Sequence, residues 1–245
     1  MHTEGRTPEA CVRGIMTDPV YKGTEETACD LCGSEEYRTE FEKDGYRGVK
    51  CSWCGLVYVN PRPGPEYLRE EVYSEDYFDA KKGFGIEDAL GAGAREARSR
   101  ARSLFARIEK NTPPGRVLDA GCAAGYMLAE ARRRGWEVEG AEISDFASRH
   151  AREVLGINVR TGDFPELDFE SGSFDVITML DVIEHFRSPY RALLKAFDVL
   201  KPGGRLVLNT PNYDSPSSRA LGTGWGLVAP EHHLYYFTPD TLSAM

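Results

Sequence analysis

From Arg116 onward the chain alternates short apolar runs with longer amphipathic stretches. RVLDAG, EVEGAEI, INVRTGD, FDVITMLDV and RLVLNTPN have the length and composition of strands. MLAEARRRG, FASRHAREVLG and PYRALLKAFDVL, which lie between most of them, carry helix formers. This alternation predicts an α/β fold: a parallel sheet covered by helices on both faces. In such folds ligands bind beyond the carboxyl ends of the strands, near the point where strand order reverses.

The upstream pattern is different. Residues 1–27 are polar without sustained periodicity and read as a flexible lead. Within 28–60, EEYRTEFEKDGYRGVK alternates as strands do, between two short cysteine knuckles. PRPGP (61–65) interrupts both helix and sheet, and EYLREEVYSEDYFDA (66–80) reads as a connecting segment. After KKGFGIEDALGAG a helix is expected over about 93–110. The expected organisation is a lead (1–27), a small module (28–60), a linker with a helical cap (61–110) and an α/β domain (111–245).

Composition narrows the function classes. Of the 245 residues 41% are hydrophobic and 28% charged, as in a soluble globular protein. No stretch reaches the roughly 20 apolar residues of a membrane span. MHTEGRTPEACVRG lacks the apolar core of a signal peptide, so the expected compartment is cytoplasmic. A net charge of −9 disfavours nucleic acid and anionic membranes as partners. In the cytoplasm the six cysteines are expected to be metal ligands or free thiols rather than disulfides.

Four of them carry a strong signal. CDLCG and CSWCG place Cys29, Cys32, Cys51 and Cys54 as two pairs separated by eighteen residues, the spacing of structural zinc sites. Four thiolates close a tetrahedral shell and leave no position for water, so this Zn2+ is expected to be structural. Around it Asp30, Glu35, Glu36, Glu40, Glu42 and Asp44 outnumber Arg38, Lys43, Arg47 and Lys50, which argues against a nucleic-acid-binding ribbon. Cys11 is assigned no role, and Cys122 none as a metal ligand.

VLDAGCAAGYML puts Asp119, Gly121, Cys122, Ala123 and Gly125 on a turn between a strand and a helix. Small residues let backbone approach a ligand, a device that dinucleotide-binding folds share. Asp119, an acid at the strand end, would repel a pyrophosphate and attract a cation. The next strand ends in Glu142-Ile143, with the acid placed to take the two hydroxyls of a ribose. The third ends in Asp163-Phe164, a carboxylate for an exocyclic amine beside an aromatic ring. Together these describe a nucleoside bearing positive charge, which fits S-adenosylmethionine (SAM).

The span 116–242 resembles a class I SAM-dependent methyltransferase. VLDAGCAAG matches its first motif, Glu142 its ribose acid and GDFPELDF its adenine loop; FDVITMLDVIEHF and LKPGGRLVLNTPN match its fourth and fifth strands. Ala123 stands where glycine is commoner. CxxCG, a hairpin, CSWCGLVYVNPRP and a tyrosine-rich VYSEDYF resemble the zinc ribbon that a bacterial branch, including deoxysugar C-methyltransferases, joins to this domain. The resemblance implies a Rossmann-like sheet, SAM as cofactor and a small-molecule acceptor, with a nucleotide-linked sugar or a secondary metabolite as the leading class. It also implies two strands after the fifth, which are expected to be missing before residue 245. An RNA or protein methyltransferase that docks its substrate through the ribbon, and a non-catalytic SAM-binding protein, are the alternatives.

Further candidates follow from position. Leu180 could offer its carbonyl to the methionyl amine, and Asp181 sits where this fold opens its active site or caps a helix bearing Glu184 and His185. His185 is expected to pack inside the domain, and His150 to be a solvated helix residue. Tyr77, with Tyr73, could close over the cofactor. NYDSPSSRALGTGWGLVA is long enough to be a lid or binding loop. In PEHHLYYFTPDTLSAM, His233 is the favoured base, with His232 and Glu231 in support, and FTPDTL opens a helix.

Overall fold

The structure is a computed structural model that describes residues 23–74 and 92–245. Five strands form the parallel sheet: β6 (Arg116–Ala120), β7 (Glu137–Glu142), β8 (Asn158–Thr161), β9 (Phe174–Leu180) and β10 (Leu200–Asn209). Their order is β10-β9-β6-β7-β8, and every neighbouring pair is parallel. The order reverses at β6, so the carboxyl ends of β6, β7 and β9 frame the crevice that this topology reserves for a ligand. All five apolar runs read from the sequence are strands. The fifth begins earlier than expected, because Leu200 already pairs with Phe174 before the register shifts ahead of Arg205.

Alternation along the strands sorts the core onto two faces. Val117, Val159 and Val176 face one side with Ala101, Phe105 and Ile108 of helix α2 (Ala92–Ile108). Leu128 and Ala131 of α3 (Tyr126–Arg133) and Ala151 of α4 (Asp145–Glu153) complete that layer. Leu118, Ile177 and Met179 face the other side with Ala192, Ala196 and Val199 of α5 (Pro189–Val199). Caps place the helices: the Ser144 and Ser188 side chains accept from the Ala147 and Arg191 amides at the starts of α4 and α5.

The N-terminal module shares the second of these cores. Its hairpin, β2 (Tyr37–Lys43) and β3 (Tyr46–Cys51), continues into β4 (Val57–Val59), and β11 (Tyr235–Tyr236) adds a fourth antiparallel strand from the far end of the chain. Cys29, Cys51, Leu56 and Tyr58 pack in one cluster with Phe164, Ile183, Leu234 and Phe237. The sequence reading separated 28–60 from 111–245, whereas β11 and this cluster join them. Thr24–Glu25 (β1), expected in a flexible lead, pairs with Arg62–Pro63 (β5). Beyond β5 the chain runs through the short helix α1 (Pro65–Tyr67) into a π-turn, Leu68–Val72.

The segment expected to be a lid is ordered elsewhere. It forms α6 (Pro216–Leu221) and a 3-10 turn, then packs Tyr213 and Trp225 against Phe41, Val57, Val59 and Tyr236. Lys43 Nζ donates to the Val228 carbonyl at 2.6 Å and fastens the loop to the ribbon hairpin. The closing helix, α7 (Pro239–Ala244), starts on a Thr238–Thr241 capping box, as FTPDTL predicted.

Candidate functional site

The four knuckle cysteines converge, with their sulfur atoms within 4.8 Å of one another. Cys29 and Cys54 approach to 3.4 Å, and Cys32 and Cys51 to 3.5 Å. The two knuckles are built alike: the Gly33 and Gly55 amides bond back to the Cys29 and Cys51 carbonyls at 2.8 and 3.2 Å. A tetrahedral thiolate shell around Zn2+ needs this spacing and donor set, so the residues fit the ion. The first knuckle also positions its neighbour, since the Asp30 carboxylate accepts from Ser188 Oγ and the Tyr190 amide at the start of α5.

At the carboxyl ends of the parallel strands lies a cleft. Gly121, Ala123, Glu142, Ile143, Asp163, Phe164 and Asp181 line it, seven of the residues singled out from sequence. Four others lie behind or beside it. Asp119 is buried under the loop, where its Oδ1 accepts from Thr178 Oγ1 at 2.7 Å. Cys122 packs into the core over β7, close enough to exclude a Cβ at Gly140, and Gly125 opens α3. Leu180 faces a separate groove shared with Leu104 and Arg107 of α2. Tyr77 lies outside the described residues.

Backbone geometry explains the loop. Gly121 has φ +83°, and a Cβ there would sit 2.4 Å from Val182 Cγ2, so only glycine fits. Ala123 and Asp181 hold φ of 46° and 52°, unfavourable for side-chain-bearing residues and concentrated here at the cleft. Glu142 is clamped: its two oxygens accept from the Ala123 and Ser144 amides at 2.8 and 2.9 Å.

The cleft collects buried carboxyls. Burial raises the Glu142 carboxyl, against the pull of the amides it accepts from. Burial also raises Asp119 to about 7, opposed by the Thr178 bond and reinforced by Glu142. Asp163 is raised by burial and Glu166, with Arg187 and Arg191 acting the other way. Carboxyls that resist ionisation in an empty cleft ionise readily beside a cation.

Sequence reasoning undervalued part of this wall. Leu68, Tyr73, Val182, His185, Phe186 and Arg187 also line the cleft. Of the two tyrosines expected as covers, Tyr73 lines the cleft, with its hydroxyl 3.0 Å from His185 Nδ1. Arg187 is tied to the module by Glu25, by the Tyr235 hydroxyl on its carbonyl and by Arg62.

Of the clustered histidines only His185 lines the cleft, and His232 and His233 pack against it without lining the cleft themselves. His185, on a 3-10 turn (Ile183–His185), stacks on His232 with centroids 5.6 Å apart and meets His233 edge-on at 4.7 Å. His233 is buried, and its Nδ1 donates to the Leu227 carbonyl at 2.8 Å, leaving Nε2 with the lone pair. Burial, with His232 beside it, holds His233 down to about 4, and His185 is held low by burial and both neighbours. Glu231 does not join them: it is exposed and accepts from the Tyr67 hydroxyl at 2.8 Å. The carboxylate beside His185 and His233 is Glu184. His150 is half-buried and bonds the Tyr126 hydroxyl at 3.1 Å, rather than being solvated.

Known proteins agree with this architecture. Residues 94–245 match the family model described as a methyltransferase domain. A ubiquinone biosynthesis O-methyltransferase from Coxiella burnetii is 34% identical over 101 residues, 39% of this chain and 43% of that protein. The chain thus spans less than half the length of that curated relative. In fold the chain is similar to Haemonchus contortus phosphoethanolamine N-methyltransferase 2, solved in complex with S-adenosyl-L-methionine (TM-score 0.56, 19% identity, covering 76% of this chain and 45% of that one). It is also similar to a SAM-dependent methyltransferase from Archaeoglobus fulgidus (TM-score 0.51, 23% identity, covering 64% and 68%). With the glycine loop, the acid-lined cleft and the five-stranded parallel sheet in place, the family match over more than half of its length makes this chain a member of the methyltransferase-domain family.

Proposed function

We propose that the protein transfers a methyl group from SAM to a small metabolite. The observation that carries this reading is the gathering of Gly121, Glu142, Asp163 and Phe164 around one cleft at the switch point of a methyltransferase-family sheet. In it Glu142 takes the ribose hydroxyls, Asp163 the adenine amine and Phe164 the adenine face. Asp119 acts through its charge from behind Gly121. Ala123, Ile143 and Asp181 complete the wall, while Cys122, Gly125 and Leu180 shape the loop and strand ends without facing the cleft. The zinc ion sits on Cys29, Cys32, Cys51 and Cys54 and is structural.

Transfer is an in-line displacement at the sulfonium, so the site's main contribution is to hold acceptor and methyl close and collinear. The acceptor enters from the histidine end, where Asp181 and His185 meet the cleft. A hydroxyl or acidic carbon there gives up a proton as it attacks. A nucleotide-linked sugar or related secondary metabolite is the acceptor class. Methyl transfer from radiolabelled SAM to a panel of nucleotide sugars and phenolic acceptors tests this. Turnover with a sugar nucleotide supports the full reading. Turnover confined to phenols keeps the methyltransferase and removes the sugar, and SAM binding without turnover on either class removes the small-metabolite assignment.

A further inference from the structure

Glu184 poses a problem that the methyl-transfer reading leaves unsolved. Its side chain is 2% exposed, and Oε2 accepts from Thr210 Oγ1 at 2.9 Å. Oε1 is buried without a hydrogen-bond partner. A carboxylate oxygen removed from water and left unpaired is destabilising, so such atoms call for a missing partner. Glu184, His185 and His233 each present a ligand atom, and these atoms lie within 4.8 Å of one another.

We propose that Glu184, His185 and His233 bind one divalent first-row metal ion, separate from the zinc of the cysteine knuckles. Two imidazoles and a carboxylate are the donor set that such ions take with positions left open, and thiolates are absent from it. The second shell is in place. The Leu227 carbonyl fixes the His233 tautomer through Nδ1, Tyr73 holds His185, and Thr210 holds Glu184. Bonds of about 2.1 Å to N and O draw the three ligands together by small side-chain rotations. The open positions face the cleft through His185, which lines it together with Asp181.

The chemistry deepens the proposed function and rests on it. A hydroxyl-bearing acceptor, above all one with two adjacent oxygens, binds the ion and loses its O–H proton to solvent. The oxygen then forms the O–CH3 bond as the C–S bond breaks, and that electron pair returns to sulfur. His233 is then a ligand rather than the proton acceptor, and the acceptor nucleophile is oxygen.

Mn2+ is the probe, because it avoids thiolate sites. Titrated into zinc-loaded protein and followed by electron paramagnetic resonance, one Mn2+ per chain is expected to leave the free-ion signal. Glu184→Gln and His233→Ala are each expected to weaken that binding at least about tenfold. Zinc content and SAM affinity, read alongside, should stay within about threefold of the wild type and report that the variants are folded. A free-ion signal undiminished by the wild-type protein overturns the site, as does Mn2+ held equally well by both folded variants. The parent reading fails separately: Mn2+ bound in a protein that does not bind SAM keeps the metal site and removes the methyltransferase.

Discussion

At Gly121, one hydrogen atom separates a working cleft from a blocked one. Gly121→Ala forces a Cβ against Val182 at φ +83° and pushes the loop into the space the ligand needs. It is expected to destabilise the fold by about 1–2 kcal/mol and to weaken SAM binding at least about tenfold, measured by thermal melting and calorimetry. Asp119 yields a pH prediction. In the empty cleft it is held up to about 7, so it is largely protonated at pH 6 and ionised at pH 8. A cationic ligand favours the ionised form, so SAM affinity rises with pH across that window and binding releases a proton. Asp119→Asn is expected to flatten this dependence; a wild-type affinity that falls from pH 6 to pH 8 contradicts it. Glu142 and Asp163 were legible because strand periodicity marks strand ends, and this fold binds its ligands there. Glu184 was not. It sits on a short 3-10 turn with no periodicity, and its partner His233 lies far along the chain, so sequence adjacency favoured Glu231.

Among the elements, the ribbon is a structural part of the cleft rather than an appendage. Its β4 carries β11, the two-residue strand directly after Leu234, and Glu25 and Arg62, which flank the ribbon in sequence, hold Arg187 in the cleft wall. Cys51→Ser removes one of the four cysteines proposed to hold zinc, from a buried position in the shared core. The expected outcome is loss of zinc, a fall in Tm of about 10 °C, and faster amide exchange at Tyr235–Phe237, while α3 and α4 stay protected. Unchanged exchange at β11 on zinc loss would separate module from site. Trp225 tests the reassigned loop. Because it packs on the ribbon and not over the cleft, Trp225→Ala should destabilise by about 1–3 kcal/mol yet leave SAM affinity within twofold. A lid residue would show the reverse. The helices and the five parallel strands were readable from periodicity, but β11 is too short to leave a pattern. The 211–230 loop resembled a lid because glycine and serine content reports flexibility of the chain, not what the chain packs against.

For the molecule as a whole, the parallel sheet and the ribbon sheet share a core, and Leu68 and Tyr73, just beyond the ribbon, line the cleft together with residues of the α/β domain. Four carboxyls in or under that cleft, Asp119, Glu142, Asp163 and Asp181, set its character within a chain of net charge −9. That charge suits a cationic cofactor and opposes polyanionic partners. The central claim is that this cleft binds SAM. Calorimetric titration of SAM into zinc-loaded protein, beside Glu142→Ala, tests it most directly. The account predicts one site per chain in the wild type and at least about tenfold weaker binding when Glu142 no longer holds the ribose. No heat of binding in the wild type, or equal affinity in the Glu142→Ala protein, would contradict it.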